Sequence, residues 1–233
     1  MAQLTMSLDR FTVVKRRDVV GKDEPYLWVY GIVIHASSAP DPERSFIIEL
    51  SGAPGNLGGG MDKGDTRDIP DGTGRIDMEV TPIAGRLLVA GLVAIAWEHD
   101  HTPVVTCQNA YRQTGKLIDD FIINFIPAML AEGEIRDPNA AELKKLQADV
   151  EGRIRTLFKG TVRTGLPWTL NQDDFIGEND FTARIDGEQS FQQALDWTFT
   201  ARGTEYRVTG ELRYRPDAAK GAFGKVVERF RGG

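Results

Sequence analysis

The chain has 233 residues, with 28 basic and 34 acidic side chains and a net charge of −6. That length can bury a substantial core, in one large β domain or two small ones. The acidic balance, with no Lys/Arg run interleaved with aromatics in the main body, excludes a general nucleic-acid binder. A single cysteine, Cys107, excludes an internal disulfide framework and a Cys-rich zinc site.

The opening "MAQLTMSLDRF" brings an acid and an arginine too early for a secretory leader, so the expected location is the cytoplasm, with leaderless export the alternative. No stretch reaches the roughly 18 apolar residues of a membrane span. "RFTVVK" alternates as a strand, "YLWVYGIVI" (Tyr26 to Ile34) is a β-branched and aromatic run, and "SFIIEL" follows. Ser51 to Asp65 is Gly-rich and lacks the Gly-Lys-Ser/Thr of a phosphate loop, so it reads as a flexible hairpin connection. "GRIDMEVTPI" places Ile76, Met78 and Val80 on one face. "RLLVAGLVAIAW" (Arg86 to Trp97) reads as a strand buried on both faces, a short core helix being the alternative.

The period then changes. From about Tyr111 to Ala131, Leu117, Ile118, Phe121, Ile122, Phe125, Ile126 and Met129 recur at helical steps, and Pro127 is expected to kink the last turn. The polar face of this stripe carries Asp119 and Asp120, which favours packing against protein over a membrane surface. Asn139 and Glu142 form a capping-box pattern that opens a second helix, with Leu143, Leu146, Val150, Ile154 and Leu157 on one side and Gly160 as its stop. Strand signals return in "FTARI", "DWTFTA" and "EYRVTGELRYR", with "ARGTE" as a hairpin turn between the last two. The last strands alone are too few for a second core. The expected architecture is therefore mainly β: one antiparallel sandwich over residues 1–233, interrupted by a helical hairpin at about 108–163 and ending in a basic tail at about 216–233.

Three stretches crowd carboxylates beside apolar runs. "RDVVGKDEPYLWV" offers Asp18, Asp23 and Glu24, "AWEHDHTP" offers Glu98 and Asp100, and "NQDDFIGE" offers Asp173 and Asp174. Glu98 and Asp100 point the same way if the strand's period of two persists. Calcium takes six to eight oxygen ligands, largely carboxylates, and loops meeting at one end of a sandwich can supply them.

At these residues the chain resembles the C2 domain family. Asp18, Gly21, Glu24, Pro25 and Tyr26 fall on the spacing of that family's first calcium loop. Trp97, Glu98 and Asp100 match the opening of its third loop, and Asp174 before Phe175-Ile176-Gly177 matches the close. The resemblance implies an eight-stranded sandwich that binds calcium (Ca2+) through Asp18, Glu24, Glu98, Asp100 and Asp174 and docks on anionic phospholipid or a protein partner. Glu24 and Glu98 stand where the family usually has Asp, and the helical insert divides the third loop. The first-loop tip, Val19 and Val20, is flanked by Arg16, Arg17 and Lys22 and suits an anionic membrane; the alternative is that the valines cap the core.

Other readings stay open. Acids beside Gly are ordinary turn chemistry, and a metal-free assembly module using the helical insert is the main alternative function. His99 and His101 invite zinc but have no third ligand motif nearby. No Gly-x-Ser-x-Gly elbow or His-Glu-x-x-His is present, so no catalytic residue is assigned; a hydrolytic sandwich with paired acids is the remaining enzyme reading.

Overall fold

The computed structural model describes residues 1–17, 22–36, 46–50, 55–82, 87–99, 104–131, 174–185 and 189–216. In chain order the elements are β1 (Ala2–Lys15), β2 (Pro25–Ala36), β3 (Phe46–Leu50), β4 (Gly55–Asn56), β5 (Thr66–Asp68), α1 (Asp71–Gly74), β6 (Arg75–Val80), β7 (Leu87–Glu98), α2 (Val104–Ala131), β8 (Asp174–Ile185), β9 (Phe191–Ala201) and β10 (Thr204–Arg215). The described residues form a mainly β protein in which all strand pairs are antiparallel.

The strands form two sheets of five. In the first, β1 pairs with β10 along its length and, in succession, with β6 and β5; β9 lies beyond β10. In the second, β2 pairs with β7 throughout and with β3 and β4, while β8 lies beyond β7. Alternation on each strand turns one set of side chains inward. Leu4 and Met6 of β1, Leu212 of β10, Val29 and Val33 of β2, and Leu92 and Ala94 of β7 all belong to one apolar cluster shared by both sheets. Gly31 leaves room for side chains of the other sheet: a Cβ there would lie 2.8 Å from the Met6 methyl and 3.1 Å from Ile76 Cδ1.

A bulge in β1 preserves its inward face. The register passes from Leu8 opposite Gly210 to Arg10 opposite Thr209, leaving Asp9 as the extra residue. Before it the even positions Leu4, Met6 and Leu8 are buried; after it the odd positions Phe11 and Val13 are. The strand expected from Arg10 onward is thus the second half of a longer one. Gly210 faces the bulge so closely that a Cβ there would stand 2.1 Å from the Ser7 carbonyl oxygen.

The second sheet is buried on its other face too, which is why β2 and β7 read as near-continuous apolar runs. Tyr26, Trp28, Tyr30, Ile95 and Trp97 are buried but lie outside the shared core cluster. Trp28 packs on Trp97 with ring centroids 4.9 Å apart, and Tyr30 on Tyr111 of α2 at 5.0 Å. The Tyr111 hydroxyl donates to the Val29 carbonyl at 2.8 Å, and the Tyr30 hydroxyl to the Tyr111 carbonyl at 3.1 Å. Such paired rings add about 0.5–1.5 kcal/mol beyond their burial. Helix α2 presents Cys107, Ala110, Tyr111, Thr114 and Ile118 on its buried stripe, at helical three- and four-residue steps.

Several expectations need correction. Helix α2 begins at Val104, ahead of the Tyr111 start of the expected stripe, because its first buried residues, Cys107 and Ala110, are small. It runs through Pro127 to Ala131. The Gly-rich stretch is no simple hairpin connection: it contains β4 and a bridge from Met61 to Asp23, and buries Leu57 and Met61. Asp174, expected to close the third loop, is the first residue of β8. The side chains of Leu117 and of Phe121 to Met129, the whole second helix and the basic tail lie outside the described residues.

The bulge makes Gly210 a position without room for a methyl group. Gly210→Ala is expected to lower the unfolding free energy by about 1–3 kcal/mol in urea denaturation, the usual cost of overpacking. Gly72→Ala, where a Cβ meets nothing within 4 Å, should stay within about 0.5 kcal/mol of the parent.

Candidate functional site

Sheet register brings the three acidic stretches to one end of the molecule. Glu98, the last residue of β7, stands opposite Pro25 of β2 on one side and Asp174 of β8 on the other. The His99 amide donates to the Glu24 carbonyl at 3.0 Å, extending the ladder one step past the strand. A bulge lies beside this row: Ala96 pairs with Gly177 and Trp97 with Phe175, leaving Ile176 extra and buried in the core. Gly177 takes the backbone conformation this needs, with φ 156°.

The end of β1 and the start of β10 meet the same region. Arg16 Nε lies 3.0 Å from Asp23 Oδ1, with both side chains about nine-tenths or more buried. The Tyr206 hydroxyl donates to the other oxygen, Oδ2, at 3.1 Å. Arg16 Nη1 also bonds the half-exposed carboxylate of Asp62, and Lys22 Nζ lies 3.6 Å from that same group. A buried carboxylate would be prohibitive without such partners. The cation that faces Asp23 is the guanidinium of Arg16.

Tyr206 records the local field. Burial, the Asp23 carboxylate beside it and the charge of Glu98 hold its phenol far above the usual tyrosine range, while Arg16 works in the opposite direction. Across the second sheet, burial does the same to Tyr30, assisted by Tyr111 and opposed by a hydrogen bond with Thr114.

The Gly-rich segment is held against this end. Asp23 and Met61 exchange both backbone hydrogen bonds at 3.0 Å, the Leu57 amide donates to Pro25, and the Gly64 amide donates to Val13. Arg67 of β5 donates to the carbonyls of Leu57 and Gly59 at 3.1 and 3.2 Å. Gly58, Gly60 and Gly64 have φ of 90°, 79° and 92°, conformations that side chains with a Cβ rarely adopt.

Of the ligands expected from sequence, Glu98 and Asp174 are register partners and Glu24 is one residue before Pro25 in the same row. The Glu24 carboxylate lies beside Gly59, 3.1 Å from where a Cβ on that glycine would be. Asp18, Asp100, Val19 and Val20, with Asp173 and His101, fall outside the described residues, as does the side chain of Asp174. Arg17 and Lys22 are exposed. Sequence reasoning set Arg16 beside the membrane-facing tip, whereas it is buried against Asp23 and Asp62; it gave Tyr206 no site role and passed over Asp23 as a ligand. A cation and a phenol from β1 and β10 cannot be assigned to one carboxylate by spacing along the chain.

Among the described residues no three His, Cys, Asp or Glu side chains form a group that could hold a metal ion. A calcium site here would therefore draw on Asp18, Asp100 or Asp174 in addition to Glu24 and Glu98. None of the described helices is long and apolar enough to cross a membrane. No protein-family model matches the chain, and no curated protein matches its sequence.

Removing one member of a buried pair leaves an uncompensated charge. Asp23→Ala is expected to destabilise by about 3–5 kcal/mol, and Tyr206→Phe by about 1.5–3 kcal/mol, the range for a hydrogen bond to a charged group; chemical denaturation measures both. Tyr206 and Tyr30 stay protonated in the folded state where an unfolded tyrosine ionises near pH 10. Their contribution to stability is thus complete below pH 10 and falls as pH rises beyond it, by up to about 1.4 kcal/mol per pH unit for each. Absorbance titration should show these two phenols ionising only together with alkaline unfolding.

Proposed function

We propose that the chain is a C2-like β-sandwich, with a helical hairpin inserted between β7 and β8, that binds calcium at the Glu98 end and docks on an anionic membrane or a protein partner. The observation that carries this reading is the register row Pro25–Glu98–Asp174, which sets the acidic ends of β7 and β8 side by side next to Glu24. Asp18 and Asp100 flank that row in sequence, so Asp18, Glu24, Glu98, Asp100 and Asp174 form the ligand set. A calcium ion would supply charge neutralisation there and a bridge from carboxylates to lipid phosphates. Arg17 and Lys22, both exposed, would add attraction of about 1 kcal/mol each beside an anionic surface, with Val19 and Val20 as the apolar tip.

A second reading has its own observation. Arg16 already neutralises the buried Asp23, so this end of the core closes on an internal cation. That favours a metal-free interaction module in which the helical insert is the contact surface.

Thermal melts of the full chain separate the two. On the calcium reading, free calcium about a hundredfold above the dissociation constant stabilises the fold by roughly 2.7 kcal/mol, and the double variant Glu98→Gln/Asp174→Asn loses that shift while His99→Ala keeps it. Co-sedimentation with phosphatidylserine vesicles should require calcium and be lost in Val19→Asp. Equal melting temperatures in millimolar calcium and in chelator select the metal-free reading.

A further inference from the structure

We infer that Arg202, at the tip of the β9–β10 hairpin, is a third basic contact, beside Arg17 and Lys22, for an anionic phospholipid surface; it rests on the membrane-docking reading above. The turn that carries it is tight. Ala201 of β9 pairs with Thr204 of β10, so Arg202 and Gly203 alone connect the strands. Their φ angles are 51° and 95°, the pattern of the type I′ turn that suits right-twisted hairpins. Asn, Asp or Gly is preferred at the first of these positions, because each tolerates the left-handed region. Here an arginine occupies it, and among the described residues it is the one non-glycine with positive φ. Nothing in the turn's backbone calls for an arginine. Strain accepted there points to a side chain that acts outside the hairpin.

The position of the turn supplies the rest of the argument. The Arg17 amide donates to Thr204 Oγ1 at 3.3 Å, and a Cβ on Gly203 would lie 3.9 Å from the Arg17 Cβ. The residues after β1 thus lie against the turn and bring a second arginine to it. Both arginines are exposed. Glu205, the first acid along β10, stands opposite Lys15 in the register. Tyr206, next on β10, bonds Asp23, two residues before the Pro25 that faces Glu98. The turn therefore sits at the same end of the molecule as the acidic row. Guanidinium groups take phosphate oxygens through paired N–H donors, so the chemistry that suits this patch is a lipid phosphate.

Co-sedimentation of the full chain with phosphatidylserine vesicles in calcium tests the contact. Arg202→Asn should bind about fivefold more weakly, the worth of one basic residue near such a surface. It should also melt at or above the parent temperature, because Asn suits the turn. Arg215→Gln is the control for charge alone: Arg215 is exposed and pairs with Gln3 at the other end of β10, and this variant should bind as the parent does. Parent-like binding in Arg202→Asn, an equal loss in Arg215→Gln, or a lower melting temperature in Arg202→Asn overturns the inference and leaves membrane docking standing. If the parent binds no phosphatidylserine vesicles in calcium, the membrane reading falls and this contact falls with it.

Discussion

The second sheet is apolar on both faces, and that constraint organises the rest. β2 and β7 pair along their whole length, with one face in the shared core and the other under Tyr111 and its neighbours on α2. Strands buried on both sides have no solvated face on which to place charge. Their carboxylates therefore sit at the strand ends, and antiparallel register sets the end of β7 beside the starts of β2 and β8. The acidic row is a consequence of burying the sheet twice.

At that end electrostatics takes over from apolar packing. Asp23 is buried with Arg16 and Tyr206 as partners, an arrangement whose desolvation cost is offset only while each member is present. Asp62 extends the network outward to solvent, so one guanidinium spans the core and a glycine-rich surface segment. The charge of Glu98 also reaches Tyr206 and, with burial and Asp23, disfavours its ionised form. The juxtaposition of Glu98 and Asp174 at the strand ends is the basis for proposing an added cation, and Arg16 beside Asp23 is the basis for the metal-free alternative.

The sheets were largely legible in the sequence because burial follows alternation. Ile76, Met78 and Val80 line one face of β6 as their spacing predicts, and Tyr206, Val208, Leu212 and Tyr214 do so on β10. Three features were not legible. The Asp9 bulge reverses the parity of β1, so its first half looks out of phase with its second. The first half of α2 buries Cys107, Ala110, Tyr111 and Thr114, residues too small or polar to form an apolar stripe by composition. Leu57 and Met61 are isolated among glycines, so nothing in the sequence distinguishes a pinned segment from a loose turn. For the site, the meeting of Glu98 with Asp174 follows from where their strands end and begin. The pairing of Asp23 with Arg16 and Tyr206 depends on how two sheets close at one end, which no local spacing encodes.

The most direct test of the central claim is calorimetric titration of calcium into the full chain at neutral pH after exhaustive chelation. Saturable binding is expected, and Glu98→Gln/Asp174→Asn should remove it. A parent protein that binds no calcium at millimolar concentration would contradict it, and would leave Arg16 as the cation on which this end of the molecule depends.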